Sequence, residues 1–275
     1  MRVLIAGGSG FLGSELARQA VAAGHETVAT FATKPSNIPE VAWQALDLRD
    51  QESVEAVVAA TAPRVIVNTS SAQAEWAVTA EGPARLAIAA ARSGCRFVHV
   101  SSDAVFSGAQ VTYDETSLPD PVTPYGAAKA AAETAVRFVH PDAVIARTSL
   151  IIGDRRSEHV RAVHDLAGGV RSGVLFTDDI RCPVHVADLA AALLELAFDD
   201  AHGVHHLGGA DAVSRYELGV LVARRDGLDA SRLSAGLRAD TTLPGALDLR
   251  LDSRATQRRL LTTLRGARQF LAAGG

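Results

Sequence analysis

Hydrophobic positions along this chain fall into two alternating kinds of segment. Short runs dense in Val, Ile, Leu and Ala, such as "RVLIAG", "ETVATF", "VAWQALD", "RVIVNT" and "RFVHVSS", are separated by longer Ala-rich stretches at helical spacing, "FLGSELARQAVAAG", "QESVEAVVAA" and "PARLAIAAARSG". Strand followed by helix, repeated, predicts an α/β fold with parallel strands and crossover helices, a doubly wound parallel sheet. Several strands are apolar at nearly every position, as expected when helices cover both sheet faces. The pattern continues through the helix around Tyr125 and "AVIART", then loosens over 148–182, where glycines, arginines and short segments show no clear period. Further on, "PVHVADLAAALLELAF" reads as a strand end and a helix returning to the main body, and "GVHHLGG" as another strand. Ser214 and Glu217 have capping-box spacing, so a helix starts there. These segments predict a nucleotide-binding domain over residues 1–150, then a mixed segment over 151–275 that forms a smaller substrate lobe and returns in part to the first domain.

Composition narrows the partners. The 275 residues are 48% apolar and 21% charged with a net charge of −4, which excludes a disordered or strongly basic chain. Without a basic run, nucleic acid and membrane surfaces are not expected partners. No stretch of about 18 uncharged apolar residues occurs. The start, "MRVLIAGGSG", lacks the layout of a signal peptide, so the expected location is cytoplasmic. Cys95 and Cys182 are the only cysteines, too few for a disulfide framework or a zinc site. Both sit in apolar runs and read as buried thiols.

The first candidate chemistry follows the first strand. "AGGSGFLGSEL" places Gly7, Gly10 and Gly13 at G-x-x-G-x-x-G spacing, with Gly8, Gly10 and Gly13 as the alternative frame. Glycines between a strand and a helix permit a tight turn and let backbone N–H groups approach a dinucleotide pyrophosphate, the Rossmann fingerprint. An acid about 20 residues on would select NAD through a ribose hydroxyl. Here strand two ends in "ATFATKPS", with Lys34 and no acid, which favours NADPH over NADH; a solvated surface lysine also accounts for Lys34. Asp47, ending strand three, is placed either to accept from an adenine amino group or to cap the next helix.

Lysine is the exception in a chain whose other cations are arginine: only Lys34 and Lys129 occur among 27 basic residues. Thr123 is a good N-cap and Pro124 a good first helical residue, which puts Tyr125 and Lys129 on one helix face. With three Tyr and two Lys in the chain, this spacing arises by chance only about 0.02 times. An ammonium beside a phenol stabilises phenolate and lowers a pKa that is otherwise near 10. The alternative is a surface tyrosine beside a solvated lysine paired with Glu133. Upstream, "RFVHVSSDAVFSG" sets Ser101, Ser102 and Asp103 just past a parallel strand, the edge where such sheets bind ligands. A serine hydroxyl there can hold a carbonyl oxygen while Tyr125 delivers a proton, although Ser and Asp also serve as helix caps.

Taken in order, the glycine fingerprint, "VSSDAVFSG", "TPYGAAKAAAE", "ARTSLIIG", "CPVHVADLA", "GVHHLGG" and "LRLDS" resemble an extended short-chain dehydrogenase/reductase, and within it the dTDP-4-dehydrorhamnose reductase group. The resemblance implies a Rossmann domain with a small C-terminal lobe, and NAD(P)H-dependent reduction of the 4-keto group of a nucleotide-activated deoxysugar. It implies catalytic roles for Ser102, Asp103, Tyr125 and Lys129. The expected cofactor contacts are Gly7, Gly10, Phe11, Leu12, Gly13, Thr33, Lys34, Asp47, Leu48, Ser70, Tyr125 and Lys129. Among arginines 155, 156, 161, 171 and 181, Arg181 is the candidate for the substrate diphosphate.

Departures from the group keep other readings open. Phe11 stands where a Gln is typical, Thr79 where many relatives have Asn, and Gly245 where an Arg precedes Pro. Some members bind a metal at a dimer contact, and Glu15 matches one acid without its companions, so a homodimer stays open and no metal is assigned. Five histidines, His159, His164, His202, His205 and His206, lie on separate segments without a ligand frame and read as structural or surface groups. The alternatives are an epimerase or dehydratase, against which Ala104 follows Asp103 without an acid; a reductase of a non-sugar metabolite; and a cofactor-binding regulatory subunit like the beta subunit of methionine adenosyltransferase.

Overall fold

A computed structural model describes residues 1–272. Seven strands form one sheet: β1 (Arg2–Ala6), β2 (Glu26–Phe31), β3 (Val41–Ala45), β4 (Val65–Asn68), β5 (Arg96–Ser102), β6 (Val144–Thr148) and β7 (Gly203–Leu207). Their spatial order is β7-β6-β5-β4-β1-β2-β3, and every pairing is parallel. The order reverses between β1 and β4, which creates the crevice where a doubly wound sheet takes a ligand.

Helices α1 (Phe11–Ala22), α2 (Gln51–Thr61), α3 (Gly82–Arg92), α4 (Pro124–Val139), α5 (Glu158–Ala167), α6 (Val186–Phe198) and α7 (Arg215–Arg225) complete the frame. One face of the sheet packs against Leu12, Leu16, Leu189, Leu193 and Leu196 of α1 and α6. The opposite face packs against Val54, Val58, Leu86, Ala90 and Val136 of α2, α3 and α4. Burial on both sides explains why the strand sequences do not alternate. Thr123 caps α4 through Gly126 N–H at 3.0 Å, with Pro124 at its first position, as the sequence predicts. Ser214 likewise caps α7.

Three differences from the sequence pattern stand out. The segment over 148–182 contains α5, whose Val160, Val163 and Ala167 join Leu150, Ile152, Val213, Leu218 and Val222 in a separate core. Val160, Val163, Leu166 and Ala167 do recur at helical spacing in α5, but the helix is short and follows a run broken by Gly153, Asp154, Arg155 and Arg156, so the period is lost when 148–182 is read as one stretch. A wide π-helical turn, Ala77–Glu81, also leads into α3, and the Thr79 hydroxyl within it donates to the Ala72 carbonyl at 2.7 Å. The small lobe is not built from late residues only. Val105, Phe106 and Tyr113 pack with Ala246, Leu249 and Leu251, and Thr112–Tyr113 pairs with Arg250–Leu251.

Beneath the C-terminal edge of the sheet lies a buried ion pair. Arg147 of β6 and Glu133 of α4 are each at most 1% exposed and meet at 2.8 Å. The Ser101 hydroxyl of β5 donates to the same carboxylate at 2.6 Å, Arg147 also donates to the Ser117 carbonyl at 3.1 Å, and its guanidinium lies 4.9 Å from the Phe106 ring centre. Glu133 therefore pairs with Arg147, not with a solvated Lys129 as the surface alternative requires. Removing one partner strands the other's charge in the interior. Glu133→Gln is expected to cost about 3–5 kcal/mol in urea unfolding, and Glu133→Leu with Arg147→Met far less than the sum of the single changes.

Candidate active site

Two cavities meet at the glycine loop. One, of about 450 Å³, is lined by Gly7, Gly10, Thr33, Asp47, Leu48, Arg49 and Ser70 among others. A larger one, of about 820 Å³, is lined by Phe11, Leu12, Ser102, Asp103, Tyr125, Lys129 and residues of the small lobe. Gly10, Thr69 and Ser71 line both, so the two spaces join at the N-terminus of α1. Gly7 adopts φ +77°, and a Cβ there would lie 2.7 Å from the Ser70 hydroxyl, so only glycine lets the loop after β4 close on the fingerprint. A long bent ligand fits this pair of spaces, with backbone amides at the join. Of the sequence-predicted contacts, Lys34 is exposed and outside the lining of the smaller cavity, whereas Ala32 and Thr33 line it. The Asp47 carboxylate is gripped by Arg49 at 2.8 Å, a partner the sequence reading missed although it lies two residues on.

The candidate catalytic side chains come together from three elements. Lys129 is fully buried, and its Nζ donates to the Val100 carbonyl at 3.0 Å. One helical turn away, Tyr125 lines the larger cavity together with Ser71 and Ser102. Asp103 accepts from the Ser149 hydroxyl at 2.7 Å and from that of Ser102 at 3.3 Å. A side chain at Gly126 would collide with the Ala104 carbonyl, so glycine lets α4 lie against the turn that carries Asp103.

The electrostatics differ from the sequence-based expectation. Burial raises the Tyr125 pKa above its ordinary value, opposed by the Ser71 hydrogen bond and reinforced by the charge of Asp103. Burial also lowers Lys129 to about 8, with the Glu133 charge acting in the other direction. Because both groups are desolvated, the ammonium does not lower the phenol in the protein alone.

In the larger cavity Arg181 is buried, but its N–H groups are committed. Nη1 donates to the Ile180 and Leu247 carbonyls at 2.7 and 3.1 Å, and Nη2 to that of Ala246 at 2.8 Å. A free bidentate clamp is therefore not what the geometry offers. Instead, the buried Asp179 carboxylate gathers Arg181 at 2.9 Å, Arg238 at 2.7 Å and Arg215 at 3.5 Å. All three arginines line the cavity, with two more positive than negative charges in the group. Arg238 occupies the space beside Gly245, where a Cβ would lie 2.5 Å from its Nη2. His159, read from the sequence as structural or surface, also lines this cavity. Ser71, Ser149, His159, Arg215 and Arg238 carried no local signal, because they converge through tertiary packing from separated segments.

The chain matches the family model described as "RmlD substrate binding domain" over residues 1–271. It is similar to the spore coat polysaccharide biosynthesis protein SpsK of Bacillus subtilis, at 31% identity over 85% of this chain and 82% of that one. It is also similar to dTDP-4-dehydrorhamnose reductase of Mycobacterium tuberculosis, at 32% identity over 84% of this chain and 78% of that one. A crystal structure of dTDP-4-dehydrorhamnose reductase from Bacillus anthracis in complex with NADP superposes with TM-score 0.83 at 22% identity, covering 98% of this chain and 96% of that one. At that identity the match speaks for the fold.

The Lys129 environment is directly measurable because only two lysines exist. In ¹³C-lysine-labelled protein, two side-chain signals are expected, and the one lost in Lys129→Met should titrate with a midpoint near 8. A midpoint near the ordinary 10.4 would mean that Lys129 is solvated.

Proposed function

The chain belongs to the RmlD substrate binding domain family, and from that premise we propose that it is a nicotinamide-dependent reductase of the 4-keto group of a nucleotide-activated deoxysugar. The observation that carries this reading is that Ser102, Asp103, Tyr125 and Lys129 line one cavity continuous with the glycine loop. In it, Ser102 turns its one hydroxyl proton from Asp103 to the substrate carbonyl oxygen, and Tyr125 donates a proton to that oxygen as it gains negative charge. Lys129 then faces a phenolate, and its positive charge lowers the energy of that state. Asp103, held by Ser149, orients Ser102. Proton return from solvent restores the phenol.

The cofactor residues would divide by cavity. Backbone amides of Gly7, Gly10, Phe11, Leu12 and Gly13 would meet the pyrophosphate. Thr33, Asp47, Leu48 and Ser70 would hold the adenosine half, with Lys34 outside it and Tyr125 and Lys129 beside the nicotinamide ribose. When bound, the nicotinamide supplies hydride to the carbonyl carbon. NADPH is preferred over NADH in this reading, because no acid follows β2 to repel a 2′-phosphate. The excess positive charge around Asp179 suits a diphosphate-bearing substrate, with Arg215 and Arg238 better disposed than Arg181 to meet it.

The test is cofactor oxidation with a dTDP-4-keto-6-deoxyhexose, comparing wild type with Tyr125→Phe. Turnover is expected with NADPH in preference to NADH, and kcat should fall by about 10²-fold or more in the variant. A Tyr125→Phe protein working at the wild-type rate would refute the mechanism. Turnover restricted to ketones without a nucleotide would remove the sugar.

A further inference from the structure

We propose that Arg181 is a positioning residue for the reaction: its charge holds the Asp103 carboxylate by one oxygen, Oδ2, and so leaves the Ser102 hydroxyl free to turn to the substrate. The assignment rests on the reductase reading above and gives Arg181 a part in it other than gripping a diphosphate.

Arg181 and Asp103 are 7% and 6% exposed. A carboxylate so far from water needs a counter-charge or donors on its oxygens. Asp103 has both on the same atom, since Oδ2 accepts from the Ser149 hydroxyl at 2.7 Å and lies 3.9 Å from Arg181 Nε. This is the one ion pair that Asp103 makes among the described residues. At that separation the contact is Coulombic rather than a hydrogen bond. Oδ1 is left with the Ser102 hydroxyl at 3.3 Å, which is long for two oxygens. With cation and donor both on Oδ2, negative charge is drawn to that oxygen and the hold of Oδ1 on the Ser102 proton stays loose. Ser102 Oγ also accepts from the Ala104 N–H at 3.2 Å, so the oxygen keeps its place while its proton turns.

Arg181 can act in this way because it is fixed. Its Nη1 and Nη2 are fastened to the Ile180, Leu247 and Ala246 carbonyls. Asp179 lies 2.9 Å from Nη1 but divides one negative charge among Arg181, Arg215 and Arg238, so it does not neutralise Arg181 alone. Asp103 supplies the second carboxylate. Arg181 therefore stands between two acids and joins the cationic end of the cavity to the end where Ser102 lies.

The test is steady-state reduction of a dTDP-4-keto-6-deoxyhexose by NADPH in wild type, Arg181→Gln, Arg181→Lys, Asp103→Asn and the Arg181→Gln/Asp103→Asn double variant. Arg181→Gln is expected to lower kcat about tenfold while the sugar KM stays within about twofold. Arg181→Lys keeps the charge and should restore most of kcat. In the Asp103→Asn background Arg181→Gln should cost about twofold or less, because the group it acts through is gone. A raised KM with kcat intact would assign Arg181 to the diphosphate and overturn the proposal, as would an equal loss in both backgrounds or no rescue by lysine. If Arg181→Gln does not fold, Arg181→Lys decides: kcat within about threefold of wild type supports the proposal, and a tenfold or greater loss contradicts it. Urea unfolding of the wild type, the Arg181→Gln and Asp103→Asn variants and their double variant reads the Arg181–Asp103 contact without turnover; a combined loss smaller than the sum is expected, and an additive loss overturns the contact. A wild type that reduces no nucleotide sugar refutes the reductase reading and the kinetic role together, whereas non-additive unfolding leaves the contact itself standing.

Discussion

The active site depends on one buried carboxylate. Glu133 accepts from Ser101 of β5 and pairs with Arg147 of β6 while belonging to α4, so a single group ties two adjacent strands to the helix that crosses their ends. Tyr125, Lys129 and Glu133 follow one another at four-residue intervals on that helix. The reacting group, its cationic neighbour and the anchor thus occupy successive turns of one face. With the anchor fixed, Lys129 reaches the Val100 carbonyl and Tyr125 comes to rest beside Ser102. Rotating or sliding α4 would break all three relations together.

The same pair governs the local charge. Arg147 neutralises Glu133 in the interior, so the carboxylate only partly offsets the burial of Lys129, whose pKa stays near 8. A lysine can lose or hold its proton there, whereas an arginine would remain charged and present a wide planar head that this narrow position does not accommodate. The larger cavity follows the opposite rule. Around Asp179 the cations outnumber the anion, and the surplus is held rigidly by carbonyls and by the carboxylate itself. One end of the site suits proton transfer with little net charge, and the other suits an anion.

Much of this was legible in the chain. Apolar runs separated by helical stretches identify a parallel sheet because both faces are covered, and the glycine spacing at its first turn marks the crevice. The rarity of lysine and its spacing from Tyr125 singled out a candidate pair, and both residues line the larger cavity. Less legible was what required long-range closure. Nothing near Lys129 shows that Glu133 belongs to Arg147, and nothing near Arg181 shows that its donors would be consumed by the chain at Ala246 and Leu247. His159, Arg215 and Arg238 acquire meaning only when the 148–182 and 211–249 segments fold over the sheet edge. Those segments contain α5, a short helix flanked by glycines and arginines that break the pattern on either side. The direction of the phenol pKa differs from the sequence expectation for a related reason: the sequence shows proximity, but desolvation comes only with packing.

The central claim is that Tyr125 protonates a carbonyl oxygen on a sugar nucleotide while hydride reaches the adjacent carbon. It is tested most directly by incubating the protein with a dTDP-4-keto-6-deoxyhexose and NADPH deuterated at the transferable C4 position, then reading the product by NMR. Deuterium at the new carbinol carbon of the sugar in wild type, and none above background in Tyr125→Phe, is the predicted result. An unreduced sugar in wild type, or a label that appears equally without the Tyr125 hydroxyl, would contradict it.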